Sequence, residues 1–152
     1  MDVIDKKILA TLQKSANVSN IELADKVGLT PAPCLRRVKH LSETGVIQGF
    51  TVALDNKQLG FTLSALAEIT LTRHTAQAAR SFIRAIQGKR DVIACHMVTG
   101  DCDFILRIMS PSMDAYRKLI WEELHAIEGV LKIRSTMILE TFKDQLSPML
   151  SD

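Results

Sequence analysis

Four histidines and three cysteines are the first side chains to weigh for chemistry in this 152-residue chain. His40, His74, His96 and His125 share no metal-ligand spacing with one another or with Cys34, Cys95 and Cys102, and no H-E-x-x-H occurs. Cys95 and His96 are neighbours in a segment of strand character, so they point to opposite faces and make no thiol–imidazole pair. There is no G-x-S-x-G and no glycine-rich phosphate loop. The sequence therefore assigns no catalytic residue, no metal ligand and no cofactor. A better candidate for chemistry is the run Gly100-Asp101-Cys102-Asp103. Two carboxylates are too few for a cation site, but they can take an ammonium group, and Gly100 lets backbone amides approach a carboxylate. Together these suit a free amino acid. Met97, Val98 and Thr99 lead into the run, and Ser135 and Thr136 are candidates for a further wall. An ordinary Gly-Asp hairpin turn is the plain alternative.

The second cluster is basic. Between Pro31 and Ser42 the chain carries Arg36, Arg37 and Lys39 and no acid. At about 100° per helical residue, Cys34, Leu35, Val38 and Leu41 gather on one side. Ala32, Pro33, Arg36 and His40 point the other way, with Arg37 and Lys39 on the flanks. A helix with an apolar back and an Arg-rich front suits the major groove of double-stranded DNA, where Arg reads guanine edges or holds phosphates. Thr30, Ala32, Pro33, Arg36, Arg37, Lys39 and His40 are the candidate DNA contacts. A solvated basic face is the plain alternative here.

The elements around that helix are strongly signalled. Ser19 and Glu22 have the spacing of a capping box, Gly28 can end the helix that follows, and Thr30 can cap the next, with Pro31 and Pro33 in its first turn. Gly45 closes it. Two helices joined by a three-residue turn containing Gly make a helix-turn-helix. An earlier helix from Asp2 to Lys14, with Ile4, Ile8, Leu9 and Leu12 on one side, completes a three-helix core. Val46 to Leu54 has β-character broken by Gly49, which predicts a short two-stranded wing. Residues 1–54 thus read as a winged helix-turn-helix domain, and the polar stretch 55–61 as a linker.

Residues 62–152 show one pattern twice. An alternating strand (Leu63, Ala65, Ala67, Ile69, Leu71) precedes a helix with Ala79, Phe82, Ile83 and Ile86 in a stripe, ended by Gly88, and then a strand Val92–Thr99. After Gly100–Asp103 come a strand Phe104–Met109, a helix opened by Pro111 and bearing Tyr116, Leu119, Ile120, Leu124 and Ile127, and a last strand Val130–Phe142. This β-α-β-β-α-β order predicts a ferredoxin-like domain in an α+β protein, with both helices on one sheet face. The other face, with Leu66 beside Ser64, Glu68, Thr70 and Thr72, has no helix left to cover it and predicts a sheet-to-sheet homodimer.

Composition agrees. A hydrophobic fraction of 47% supports real cores, and the net charge of +2 excludes a polycation. Residues 1–60 carry eight Lys/Arg against six Asp/Glu, whereas residues 61–152 carry eleven of each, so the positive excess lies beside the helix-turn-helix. The cysteines are widely spaced and read as reduced thiols, with Cys34 filling space on the apolar side of its helix. No signal peptide opens the chain and no apolar run is long enough for a membrane span, which predicts a soluble cytoplasmic protein.

The chain as a whole resembles the Lrp/AsnC, or feast/famine, family of transcription regulators. The residues that carry the resemblance are Ile4–Leu9, Glu22-Leu23-Ala24, Leu29–Val38, Leu41–Ile47 and Val98–Phe104, in this order and at these separations. The resemblance implies a homodimer assembling further, commonly to an octamer of four dimers. It also implies pseudo-palindromic operators, a place on the nucleoid, and an amino acid effector held between dimers near Gly100–Asp103. One departure is visible, since Cys102 stands where family members usually carry an aromatic residue. A ferredoxin-like metabolic module, binding a small molecule and using its N-terminal helices only for assembly, is the alternative reading.

Overall fold

Helix α1 (Val3–Lys14) begins at Asp2, whose carboxylate accepts from the Asp5 N–H at 2.8 Å while Asp5 returns the bond to the Asp2 N–H at 2.9 Å. This reciprocal cap satisfies two of the free amides of the first turn. Helix α2 (Asn20–Val27) starts with the same device, Ser19 with Glu22, and ends at Gly28, whose φ of 73° is the left-handed conformation a glycine adopts at little cost. Helix α3 (Pro31–Glu43) follows after a turn of Gly28, Leu29 and Thr30. Ile8, Leu23, Ala24, Val27, Cys34 and Leu41 are buried between the three helices, with Leu9, Val38 and Ile47 packed at their edge. The computed structural model describes residues 1–145 and 147–150; Leu146, Ser151 and Asp152 lie outside the described residues.

Three local expectations are corrected here. Thr30 occupies the cap position of α3 but makes no side-chain bond to it; Asn20 Nδ2 instead donates to the Pro31 carbonyl at 2.8 Å, tying α2 to the start of α3. Leu35 is exposed, because one residue past Cys34 swings about 100° away from the core-facing line through Cys34, Val38 and Leu41. The two-stranded wing over residues 46–54 is not formed as paired strands. Its first half is used otherwise: the Ile47 N–H bonds the Leu41 carbonyl at 3.0 Å and the side chain joins the helical core. Phe50, Val52 and Leu54, which follow it, are exposed.

The second unit spans Leu54–Phe142. Its elements are β1 (Leu63–Leu71), α4 (Ala76–Ile86), β2 (Val92–Met97), β3 (Phe104–Ser110), α5 (Met113–Lys118) and β4 (Val130–Met137). The sheet is antiparallel in the order β2-β3-β1-β4, as the ferredoxin-like pattern requires. Alternation along β1 buries Ala65, Ala67, Ile69 and Leu71. These meet Phe82 and Ile86 of α4, Tyr116 of α5 and the Leu119–Leu124 segment in one core. Phe82 lies with its ring centroid 4.8 Å from that of Phe104. The second helix differs from expectation in two ways. Ser112 rather than Pro111 caps it, accepting from the Ala115 N–H at 3.1 Å, and from Leu119 to Leu124 it widens to a π-helix. Strands β2 and β4 are shorter than the sequence reading, ending at Met97 and Met137. The sequence reading also carries this unit to residue 152, whereas the described residues 143–145 and 147–150 group with the helical unit.

Candidate DNA interface and effector loop

On α3, Thr30, Ala32, Arg36, Lys39 and His40 are exposed and Pro33 is half-buried, all away from the Cys34–Leu41 line. Lys39 reaches Glu43 one turn on at 3.7 Å, a solvated pair of small consequence. Arg36 forms no ion pair among the described residues. Arg37 is different: its Nη1 lies 2.7 Å from both Asp2 Oδ2 and Asp5 Oδ1, the two carboxylates that cap α1. The Asp5 N–H, with Arg37 next, holds the Asp2 carboxyl below its ordinary range. The Asp2 N–H and Arg37 do the same for Asp5 against the opposing effect of burial. The carboxylates of Asp5 and Asp2 in turn push Arg37 up. Of the predicted contacts, Arg37 therefore fastens α3 to α1, and Arg36 is the arginine left on the open face.

The Gly100–Asp103 run links β2 to β3. Gly100 adopts a φ of 123°, which a side chain would strain. Asp103 is the anchor of the loop. Its N–H donates to the Ile69 carbonyl at 2.8 Å, and its carbonyl accepts from the Val98 N–H at 3.0 Å. Its carboxylate accepts from the Leu71 N–H at 2.7 Å and lies 2.7 Å from His74 Nδ1. Burial disfavours the charge, but the Leu71 N–H and His74 together outweigh it and leave the Asp103 carboxyl below its ordinary value. Asp101, Thr99 and Gly100 are exposed at the tip, and Cys102 is half-buried. Burial first, then the carboxylates of Glu68, Asp103 and Asp101, push the Cys102 thiol up.

A cleft of about 290 Å³ opens beside the loop, with Met97, Val98 and Asp103 on one side and Arg73, His74 and Thr75 on the other. The last three were missed by the sequence reading. Thr75 had a usable signal, since its hydroxyl caps α4 by accepting from the Ala78 N–H at 3.2 Å. His74 and Arg73 had none, because only the sheet order brings the end of β1 beside the β2–β3 loop. Ser135 and Thr136 are not brought to this cleft within one chain. They lie on β4, with β1 and β3 between them and β2, and they face opposite sides of the sheet. Ser135 Oγ accepts from the Tyr116 hydroxyl at 2.6 Å on the helix-covered side.

The opposite sheet face carries no helix of its own unit. Ser64, Leu66, Glu68 and Thr70 of β1 stand there beside Ile105, Arg107 and Met109 of β3 and Lys132, Arg134 and Thr136 of β4. Glu68 and Arg134 pair across the strands at 3.1 Å.

Comparison with known proteins agrees with this geometry in both units. The Lrp/AsnC ligand binding domain matches residues 64–148, and a winged helix-turn-helix DNA-binding family matches residues 1–48. The chain belongs to the Lrp/AsnC family. It is 41% identical over 143 residues to the leucine-responsive regulatory protein of Escherichia coli, covering 94% of this chain and 87% of that protein. Among solved structures, it superposes with a TM-score of 0.92 and 28% identity on a transcriptional regulator from Neisseria meningitidis in complex with L-Met, over 97% of this chain and 96% of that one. An AsnC family transcriptional regulator from Agrobacterium tumefaciens gives a TM-score of 0.90 at 28% identity, with the same coverage. The protein is thus an Lrp/AsnC transcription regulator and not an enzyme, with a winged helix-turn-helix DNA-binding domain and an α+β ligand-binding domain.

Proposed function

We propose that this Lrp/AsnC regulator reads pseudo-palindromic operators as a two-fold homodimer, assembled further to an octamer, and that an amino acid beside Gly100–Asp103 sets its assembly or its DNA affinity. The observation that carries the DNA half is the exposed face of α3. Its fixed cation Arg36 is unpaired among the described residues, while Arg37 is turned inward against Asp2 and Asp5. Thr30, Ala32, Pro33, Lys39 and His40 accompany Arg36 at the groove. The open sheet face supplies the two-fold contact, with the half-buried Leu66 and Ile105 as its apolar centre.

The effector reading assigns new parts to the two carboxylates. Asp103 shapes the loop, and the exposed Asp101 meets the ligand's ammonium, with Gly100 and the loop amides near its carboxylate. Met97, Val98 and Thr99 line the near wall. Ser135 and Thr136 lie apart from the loop in one chain, which favours a pocket completed by a neighbouring dimer. An apolar or sulfur-containing amino acid fits this lining. The names of two relatives, one leucine-responsive and one solved with L-Met, support the same class. No helix among the described residues is long and apolar enough to cross a membrane, and a regulator of this kind works on the nucleoid in the cytoplasm.

Calorimetry with each of the twenty amino acids tests the reading. Heat with a leucine- or methionine-like ligand is expected, together with a change in DNA affinity by the same factor by which DNA changes ligand affinity. No heat with any amino acid at millimolar concentration would remove the effector from this account. DNA affinity that stays flat as salt rises would remove the DNA interface.

A further inference from the structure

Gln13, in the last turn of α1, holds a piece of chain that lies 134 residues away. Its Nε2 donates to Ser147 Oγ and to the Pro148 carbonyl, both at 2.9 Å, and its Oε1 accepts from the Leu150 N–H at 2.9 Å. A primary amide has donors and an acceptor on one planar group, so it can grip an extended segment from both sides. No apolar or singly charged side chain does both. Gln13 is itself exposed, so the grip is made on the surface of the helical unit rather than in its core.

The topology gives this contact its consequence. The chain leaves the helical unit after Ala53, builds the effector module, and returns to the helical unit at Lys143. Two chain crossings therefore join the units, but the second restrains them only while residues 147–150 stay docked on α1. A body held by a single flexible link swivels about it, and a second attachment removes part of that freedom.

We propose that the Gln13-docked C-terminal segment is a releasable second tether, which restrains the helix-turn-helix relative to the effector module. The inference rests on the reading of paired half-sites above. Once one recognition helix of a dimer is on DNA, the other binds at an effective concentration set by how freely it can move. The tether raises that concentration without touching DNA. It also makes the run that follows β4 a mechanical connection from the effector module to the DNA-reading unit.

The test compares two DNA duplexes by fluorescence anisotropy. One carries two half-sites a helical turn apart and the other a single half-site, both selected from random duplexes by the wild-type protein. Gln13→Ala and a chain lacking residues 143–152 are each expected to lose about tenfold in affinity for the two-site duplex and none for the single site. Faster hydrogen exchange at the Leu150 amide in Gln13→Ala should report release of the segment. Unchanged two-site affinity in both variants overturns the proposal. So does an equal loss on both duplexes, because that marks damage to the helical unit. A loss in the shortened chain alone overturns the role of the Gln13 amide. A wild-type protein with no preference for the two-site duplex removes the reading of paired half-sites, and the tether with it.

Discussion

Arg36 and Arg37 are neighbours in sequence with the same charge, but Arg37 is paired with Asp2 and Asp5 while Arg36 is exposed without an ion pair among the described residues. If Arg36 is on the open face of α3, replacing it by Ala removes one cation per subunit from the DNA surface. Each phosphate contact contributes a slope of about −0.9 to log K against log salt, so a dimer with two recognition helices should lose about 1.8 from that slope. Should Arg36 read a base instead, the cost is about 1–3 kcal/mol per half-site, falling on particular sequences rather than on all. Its folding should be unchanged, because Arg36 makes no ion pair among the described residues. Arg37→Ala should do the reverse. The slope stays near wild type, while Asp2 and Asp5 lose the guanidinium that lies 2.7 Å from each, so the three-helix unit unfolds at lower temperature. That difference should shrink as salt screens the pair. The assay is anisotropy over roughly 50–300 mM salt, a range in which such slopes are resolved, paired with thermal unfolding of each variant. If Arg37→Ala flattens the salt slope as much as Arg36→Ala and leaves the unfolding midpoint alone, the assignment of the two side chains is wrong.

Three further outcomes are expected. Asp103 titrates lower in the folded chain than the value of about 3.9 of an unfolded Asp, so its contribution is complete above that pH and is lost as pH falls through the lowered value. Asp103→Asn should be less stable at neutral pH and lose less on acidification below about pH 4; parallel acid limbs in urea titrations would count against the loop anchor. Leu66→Arg places a charge on the open sheet face, away from the buried Ala65 and Ala67. It should shift light-scattering mass toward monomer while the far-UV spectrum stays native, and an unshifted mass would move the dimer contact elsewhere. Phe82→Ala empties a fully buried site against Phe104 and should cost about 3–5 kcal/mol in denaturant unfolding of the effector module. A loss below about 1 kcal/mol, the range of surface changes, would mean that α4 does not pack as described.

Helix caps and strand alternation were legible because they are local. Ser19 with Glu22, Asp2 at the start of α1, Gly28 in its left-handed conformation and the buried side of β1 all depend on residues within a few positions of each other. The two-stranded pairing expected over residues 46–54 is not formed, for a related reason. Strand propensity over residues 46–54 is real, but hydrogen bonding of Ile47 to Leu41 took one half of the expected hairpin, and propensity does not say which partner a strand will find. Leu35 failed because an apolar residue beside the core line of a helix reads as core until the helix is rotated into place.

The sequence by itself determined the order of helices and strands, the turn between α2 and α3, and the position of the β2–β3 loop with its glycine and carboxylates. Those are matters of periodicity, capping and turn chemistry, which act over three or four residues. Only the tertiary structure decided which charges are free to act. It placed Asp2 and Asp5 within reach of Arg37 and left Arg36 outside, and it laid Leu71 and His74 against Asp103 so that the carboxylate expected for a ligand became the anchor of its own loop. It also placed Ser135 and Thr136 on β4, with β1 between them and the strand β3 that carries the loop. A charge is satisfied by whatever opposite group the fold carries to within about 3 Å, and such partners, here about 30 residues apart in sequence, leave no trace in local spacing.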